Sequence, residues 1–122
     1  EEELGIVSDL TSCMPGFVSA LFRVIASEAA RHMSLDGDAI RRMLMRTLHG
    51  TSALFLEGDY SFDAMLSRVA TKGGITEEGA KVIDAQFPQT VAEIFAKTME
   101  KRAIVRQRSI DQFNGGKTDG RP

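Results

Sequence analysis

The sequence predicts an all-α domain, and three features of its 122 residues support that prediction. Long segments repeat apolar side chains at the helical period of 3.6 residues. No segment alternates apolar and polar residues over a useful length, as a half-buried strand would. Hydrophobic residues make up 43% of the chain, which is enough for a core and too many for a disordered protein. We expect one domain of about five helices, two of them long.

Composition excludes several classes of partner. The net charge of −2 and the pI near 5.7 give no basic patch of the kind that nucleic acid requires. The most hydrophobic segment, Met14 to Ala26, contains Arg23 and is too short to span a bilayer, so we expect no membrane contact. We expect no signal peptide, because these residues do not show the pattern of one. The lone Cys13 rules out an intrachain disulfide and fits a reducing compartment, which predicts a cytoplasmic protein.

The first predicted long helix runs from Pro15 to about Met33. The acidic residues before it, 1–9, form either a short helix or a linker. Pro15 suits the first turn of a helix, where its missing N–H costs nothing. Apolar residues surround this helix almost completely, which is typical of a buried helix. In so small a domain we expect burial against a second subunit as well. The narrow polar stripe consists of Ser19, Arg23 and Ser27.

The second long helix is predicted from about Asp38 to Glu57, with Asp36 or Asp38 as its N-cap and Gly58 just past its end. Ser61 then caps a short helix, Phe62 to Val69.

After a Gly-Gly turn, a helix is predicted from about Glu77 to Ala85. Phe87-Pro88 ends it, and Pro88 begins the last helix. Basic residues from Lys97 onward suit the negative end of a helix. Residues 111–122 are polar and rich in glycine, so we expect a disordered tail. The domain boundaries predicted in this way are 1–9, 10–110 and 111–122.

The rest of the chain is organised around the Gly-Gly turn. Gly73 and Gly74 allow backbone angles that other residues avoid. Thr76, followed by Glu77 and Glu78, is typical of a helix N-cap with acidic residues in the first turn. Such a turn exposes backbone N–H groups at the positive end of a helix dipole, where a carboxylate or phosphate can bind. A plain connection between two helices explains the same residues, and the residues alone leave both interpretations open.

Two stretches resemble the signatures of pyrroline-5-carboxylate reductases. The segment Val69–Gly79, V-A-T-K-G-G-I-T-E-E-G, resembles that family's V-T-S-P-G-G-T-T-x-x-G. The segment Leu10–Phe17, L-T-S-C-M-P-G-F, resembles its L-S-G-S-G-P-A-Y. The order and spacing of the two motifs make the likeness specific, and it covers about Leu4 to Arg106.

The resemblance implies a fold, partners and a site. The chain is similar to the helical C-terminal domain of these reductases, of the 6-phosphogluconate dehydrogenase C-terminal type. That domain forms an intertwined homodimer, and its dimers can assemble further. In the family an N-terminal Rossmann domain binds NAD(P)H, so none would bind to this chain alone. The resemblance also implies that the turn holds the carboxylate of a small imino acid in proline biosynthesis. The substrate-binding residues would be Thr71, Gly73, Gly74, Ile75 and Thr76.

Several positions depart from the family pattern. Lys72 replaces its proline and Ile75 replaces its first threonine after Gly-Gly. In the upstream motif Ser12 and Met14 replace both glycines, and Phe17 replaces the tyrosine. These changes support a second hypothesis, a non-catalytic dimerisation module of a diverged reductase-like protein. Lys72 either adds positive charge for an anion or is solvated, and solvation is more common for lysine.

No other constellation of residues predicts a catalytic or metal site. His32 and His49 are 17 positions apart, with no partner at metal-ligand spacing, so we expect no metal. The chain contains no G-x-G-x-x-G and no Ser-His-Asp order that indicates a nucleophile. Cys13 near a predicted helix start is either a reactive thiol or, more commonly, a small packing residue.

Overall fold

A computed structural model describes residues 1–116, which are helical almost throughout and contain no strand. The all-α prediction is therefore confirmed. The first continuous helix, residues 2–30, consists of α1 (Glu2–Ser8), a π-helical segment (Asp9–Cys13) and α2 (Met14–Ala30). Three further helices follow: α3 (Gly37–Gly58), α4 (Phe62–Val69) and α5 (Ile75–Gly115). The described part of the chain thus has four continuous helices, one fewer than the number predicted.

Local capping signals set the starts of α3 and α4. The Asp36 carboxylate accepts a hydrogen bond from the Ala39 N–H at 2.8 Å, and the Ser61 hydroxyl accepts one from Ala64 N–H at 3.1 Å. Each satisfies a backbone donor that has no partner within its helix. Both predicted caps are confirmed. At the end of α3 the left-handed residue is Asp59, with φ of 49°, rather than Gly58.

Both predicted helix boundaries at prolines are wrong. Pro88 lies inside α5, which continues on both sides of it. A proline removes one backbone hydrogen bond, but the turns before and after it keep theirs. Pro15 likewise lies within a helix that already began at Glu2.

Two other predicted limits shift. The first helix ends at Ala30 rather than near Met33. The tail predicted over 111–122 is helical as far as Gly115, and residues 117–122 lie outside the described range.

Packing divides the chain into two compact units. The first contains residues 1–14 and the chain from residue 84 onward, and the second contains residues 15–83. In the second unit the buried apolar side chains are Ile40 of α3 and Met65 of α4. Phe55 and Phe62 meet edge to face there, with ring centroids 5.4 Å apart. In the first unit the buried side chain is a carboxylate, Asp9.

Most large apolar side chains of the described residues remain at the surface. Ile40 and Met65 are the only buried members of that class, whereas Leu56, Phe62 and Ile75 are each more than 80% exposed. Along α2, Leu21, Val24 and Ile25 are also exposed, and their spacing places them on one face. Exposed apolar surface on this scale is typical of an interaction surface. A single copy of the chain therefore does not bury its own hydrophobic residues.

One helix of the described residues, Glu2–Ala30, is long and apolar enough to cross a membrane by length and composition alone. It is longer than the segment Met14–Ala26 from which we inferred that a span is impossible, so that argument from length fails. Core helices of water-soluble proteins satisfy the same criteria. The absence of membrane contact thus stays a prediction.

Candidate functional site

The Gly-Gly turn connects α4 to α5 through a short chain of backbone hydrogen bonds. The Ala70 N–H donates to the Leu66 carbonyl at 2.7 Å and closes α4. The Gly74 N–H donates to the Thr71 carbonyl at 2.8 Å and closes the turn. The Glu78 N–H then donates to the Gly74 carbonyl at 3.2 Å, which is the first such bond of α5. The turn and the helix start are therefore held by the backbone itself.

The two glycines of the turn are needed for different reasons. Gly73 has φ of +73°, in the left-handed region that residues with a Cβ rarely adopt. Gly74 has an ordinary φ, but a Cβ there would lie 2.9 Å from the Thr71 carbonyl oxygen and closer still to the Thr71 hydroxyl. The first glycine thus permits the turn, and the second permits the chain to approach Thr71.

The free hydrogen-bond donors of the turn lie at the start of α5. The Ile75, Thr76 and Glu77 N–H groups precede the first helical hydrogen bond, so the helix offers them no acceptor. Thr76 is exposed, and its hydroxyl makes no hydrogen bond to another described residue. The Thr71 hydroxyl lies close to Gly74 on the same turn. These groups together form a polar patch at the positive end of a helix dipole, which favours an anion.

The structure assigns unequal parts to the five residues that the sequence predicts for the site. Thr71, Gly73 and Gly74 lie in the turn, whereas Ile75 and Thr76 are the first two residues of α5. Gly74 contributes shape and not a donor, because its N–H is used within the turn. Thr76 lies within the first turn of α5, which begins at Ile75, so it is not the N-cap that the sequence indicates. The Ile75 side chain is 94% exposed.

Sequence reasoning missed the part that Glu77 plays in this turn. Its carboxylate accepts a hydrogen bond from the Gly73 N–H at 2.5 Å. A carboxylate that accepts from a backbone N–H at a helix start forms a strong, charge-assisted hydrogen bond. The detectable signal was an acidic residue four positions after a glycine at a helix start. Glu77 therefore holds one amide of the turn before any ligand binds.

Charges around the turn nearly balance. Lys81 lies 2.7 Å from a Glu78 carboxylate oxygen and 3.4 Å from one of Glu77. Lys72 is exposed and makes no ion pair with any described residue. It carries the positive charge nearest in sequence to the free amides. We expect a singly charged anion to bind this patch better than a multiply charged one. The carboxylates of Glu77 and Glu78 lie near the patch and repel negative charge.

A second polar cluster lies in the first unit and was not predicted. Asp9 is fully buried, and both of its oxygens bind Arg102 of α5. The Arg102 Nη1 donates to Asp9 Oδ2 at 3.1 Å, and the Thr98 hydroxyl donates to the same oxygen at 2.6 Å. Arg102 Nη2 also lies 3.8 Å from the Cys13 sulfur. The sequence had placed Arg102 only among the basic residues of a helix end.

The Asp9 pKa follows from this environment. Hydrogen bonds from Arg102 and its positive charge, with the Thr98 hydroxyl, lower the pKa of Asp9 to about 2, and burial opposes them. The same contact raises the pKa of Arg102. The pair therefore stays ionised although Asp9 is buried.

No group of three metal-ligating side chains occurs among residues 1–116. His32, two residues past the end of α2, instead contacts Glu28 of that helix at 3.2 Å. Cys13 is half-buried.

Comparison with known proteins gives one family. The model of a family described as pyrroline-5-carboxylate reductase dimerisation matches residues 1–104. Pyrroline-5-carboxylate reductase 3 of Bacillus subtilis is 41% identical over 107 residues, which are 88% of this chain and 39% of that protein. Pyrroline-5-carboxylate reductase of Methanobrevibacter smithii is 34% identical over 82 residues, 67% of this chain and 33% of that protein.

A more distant relative has a different name. ComE operon protein 4 of Bacillus subtilis is 28% identical over 96 residues, which are 79% of this chain and 35% of that protein. The chain thus spans well under half the length of each of these relatives. No solved structure matches it.

Replacing Gly74 by alanine tests the close approach in the turn. The new Cβ would clash with the Thr71 carbonyl, so we expect Gly74→Ala to lower the free energy of unfolding by about 1–3 kcal/mol, the usual cost of forcing atoms into occupied space. Gly79→Ala is the matched control, because a Cβ at Gly79 meets no atom within 4 Å. That variant should gain up to about 1 kcal/mol from helix propensity. Chemical denaturation measures both, and equal effects would contradict the close approach.

The buried Asp9 carboxylate makes stability depend on acid. Its pKa in the folded chain, about 2, lies below the ordinary value of 3.8, so the folded state favours the charged form. That stabilisation is complete above about pH 4 and is lost as pH falls toward 2. At neutral pH we expect Asp9→Asn to have a lower free energy of unfolding than the parent protein. Between about pH 4 and 2 that free energy should fall less in the variant than in the parent. Asp84→Asn, at an exposed position of α5, is the control, and denaturation curves recorded from pH 6 to 2 measure both variants.

Proposed function

Because the chain belongs to the pyrroline-5-carboxylate reductase dimerisation family, we propose that it is the dimerisation and substrate-binding part of an NAD(P)H-dependent reductase. The substrate would be a small cyclic imino acid, and the product a proline-like amino acid. The observation that supports this most is the Gly-Gly turn, which keeps free amides and a free threonine hydroxyl beside each other at the start of α5.

The proposed role of the turn is to hold the substrate carboxylate. The Ile75 and Thr76 N–H groups and the Thr76 hydroxyl are the donors assigned to it, because neighbouring groups already use the Gly73 and Gly74 amides. Charge-assisted hydrogen bonds of this kind fix both position and orientation. A substrate whose carboxylate is fixed in this way also has the C=N bond of its ring held in one orientation. Holding the reacting bond in a fixed orientation lowers the barrier to the reaction.

The cofactor belongs to a part of the protein beyond these residues. The 122 residues contain no G-x-G-x-x-G loop for a dinucleotide, so no residue of this chain is assigned to NAD(P)H. When bound, the nicotinamide would supply a hydride to the carbon of the protonated C=N bond, whose nitrogen would then become the amine of the product. The chain's own residues would bind and orient the imino acid.

The proposed homodimer follows from the apolar surface of a single copy. Leu21, Val24 and Ile25 form an exposed apolar stripe on α2. In the same unit α2 and α3 border an open apolar groove of about 350 Å³, lined by Phe22, Ile40 and Leu44 among others. A second copy would cover such surfaces, as obligate dimer interfaces resemble a protein core cut in half.

A non-catalytic dimerisation module is the second candidate. Met14 stands where the reductase motif has glycine, and its side chain would crowd a cofactor that approached the backbone. The name of ComE operon protein 4 states no reductase activity. Under this alternative the dimer persists and the turn binds no carboxylate.

Substitution of Thr76 separates the two candidates. In the natural full-length protein, Thr76→Val should raise the KM for 1-pyrroline-5-carboxylate about 10- to 100-fold, because a hydrogen bond to a charged group contributes about 1.5–3 kcal/mol. Thr90→Val, at an exposed position of the same helix, should leave KM unchanged. Initial rates with NADH and with NADPH are the measurement. A parent protein that reduces no cyclic imino acid with either cofactor would instead support the non-catalytic module.

A glutamate in the apolar stripe of α2 tests the homodimer. Val24 is 63% exposed in the single chain, so Val24→Glu should leave the fold of one copy intact. A charge buried at an interface is costly, and we expect the dimer to dissociate to monomers in sedimentation experiments. The control is Arg42→Glu, which introduces the same side chain at an exposed position of α3 that does not line the groove, and which should remain a dimer. Val24→Glu that also stays dimeric would remove this stripe from the interface.

A further inference from the structure

The one fully buried charge among residues 1–116 is the Asp9 carboxylate. A buried carboxylate is costly unless it is paired and fully hydrogen-bonded. Asp9 meets this condition, because Arg102 binds both of its oxygens and Thr98 donates to one of them. Asp9 and Arg102 are 93 positions apart in the sequence, yet they make this contact in a chain that buries few apolar residues. So specific a contact calls for an explanation other than general packing.

Arg102 contacts both ends of the π-helical segment. This segment begins at Asp9 and ends at Cys13. The guanidinium binds the carboxylate of the first residue and lies 3.8 Å from the sulfur of the last. A π-helical turn holds more residues than an α-helical turn, so it rotates every following side chain about the helix axis. Arg102 therefore lies where it can select the π-helical register over the α-helical one.

The same segment contains half of a sequence motif. Leu10 to Cys13 are the first four of the eight residues, Leu10–Phe17, that resemble the upstream reductase motif. We propose that Asp9 and Arg102 are positioning residues that fix the π-helical register of this motif. They touch neither substrate nor cofactor, and act by setting the direction in which Leu10 to Cys13 point. The register follows from the geometry of this cluster, whereas an effect on reduction rests on the function proposed above.

Setting a register is a better account of the pair than adding stability. A buried ion pair contributes little compared with apolar residues of similar size, but a single buried polar contact can fix one alignment of two helices. None of the apolar residues near it is fully buried, since Ile6 is half-buried and Leu4, Val7 and Leu10 are exposed, and so their packing defines one alignment only weakly. The ion pair supplies the directional contact that they lack.

The register can be read directly by NMR. A π-helical turn pairs each N–H with the carbonyl five residues back, whereas an α-helical turn pairs it with the carbonyl four residues back, and scalar couplings across these hydrogen bonds distinguish the two. In the apolar replacement Asp9→Leu/Arg102→Met we expect the couplings of the turn at residues 9–13 to change to the α-helical pairing while the chain stays folded. The matched control is Glu1→Leu/Arg106→Met. It removes an exposed ion pair between the same two segments, one helical turn further along α5, and should leave residues 9–13 unchanged.

A milder variant covers the case in which the double replacement fails to fold. Arg102→Lys keeps the positive charge but has no planar fork that could contact both Asp9 and Cys13. If the pair sets the register, the lysine variant should also change the couplings of residues 9–13. If charge pairing is all that matters, those couplings will match the parent protein, and the proposal is wrong. Unchanged couplings in a folded double replacement would overturn it as well.

Kinetics of the natural full-length protein complete the test. Misdirecting the motif should lower kcat about tenfold, because misplaced groups slow a reaction even from a distance, and should leave the KM for the imino acid within about twofold. The reason for the split is that the imino acid is assigned to the separate turn at Thr76. A rise in the KM for the imino acid by the same factor would indicate a general structural defect and count against positioning. A parent protein without reductase activity would refute the proposed function, whereas the NMR result would still decide the register.

Discussion

The chain has more large apolar side chains than a single copy can cover, and this constraint shapes the whole molecule. Ile40 and Met65 alone are buried among the apolar residues described, while side chains such as Leu56 and Phe62 face solvent. Helices this exposed gain little stability from their own packing. Their burial has to come from a second surface, which agrees with membership of a dimerisation family. Local caps and a few polar contacts set where the helices begin and which of their apolar faces stay exposed for that second surface.

Sequence reasoning succeeded where the physical cause was local. Asp36 and Ser61 cap helices through their own side chains, within three residues, and so α4 could be predicted from Phe62 to Val69 without knowledge of the fold. The Gly73-Gly74 turn was recognised for the same reason, since only glycine tolerates its backbone. Of the candidate site, the sequence therefore identified the residues of the turn.

Sequence reasoning failed where the cause was distant or cooperative. Helices continue through Pro15 and Pro88 although each proline removes a hydrogen bond, because the turns on either side remain formed. No local rule pairs Asp9 with Arg102, which is 93 positions away, or predicts the π-helical turn that begins at Asp9. Within the turn, which amides remain free depends on the Glu77 carboxylate, whose position becomes evident only in three dimensions.

The features of the turn do not all discriminate equally between an enzyme and a dimerisation module. Gly73 and Gly74 are required by the connection itself, one for its φ and the other for its approach to Thr71, so either protein would keep them. Glu77 likewise stabilises the turn without any ligand. Thr76 is different, because its hydroxyl is exposed and contributes no hydrogen bond to the described fold. A donor that the fold does not use, beside amides that the helix leaves free, is the feature that favours a carboxylate-binding enzyme.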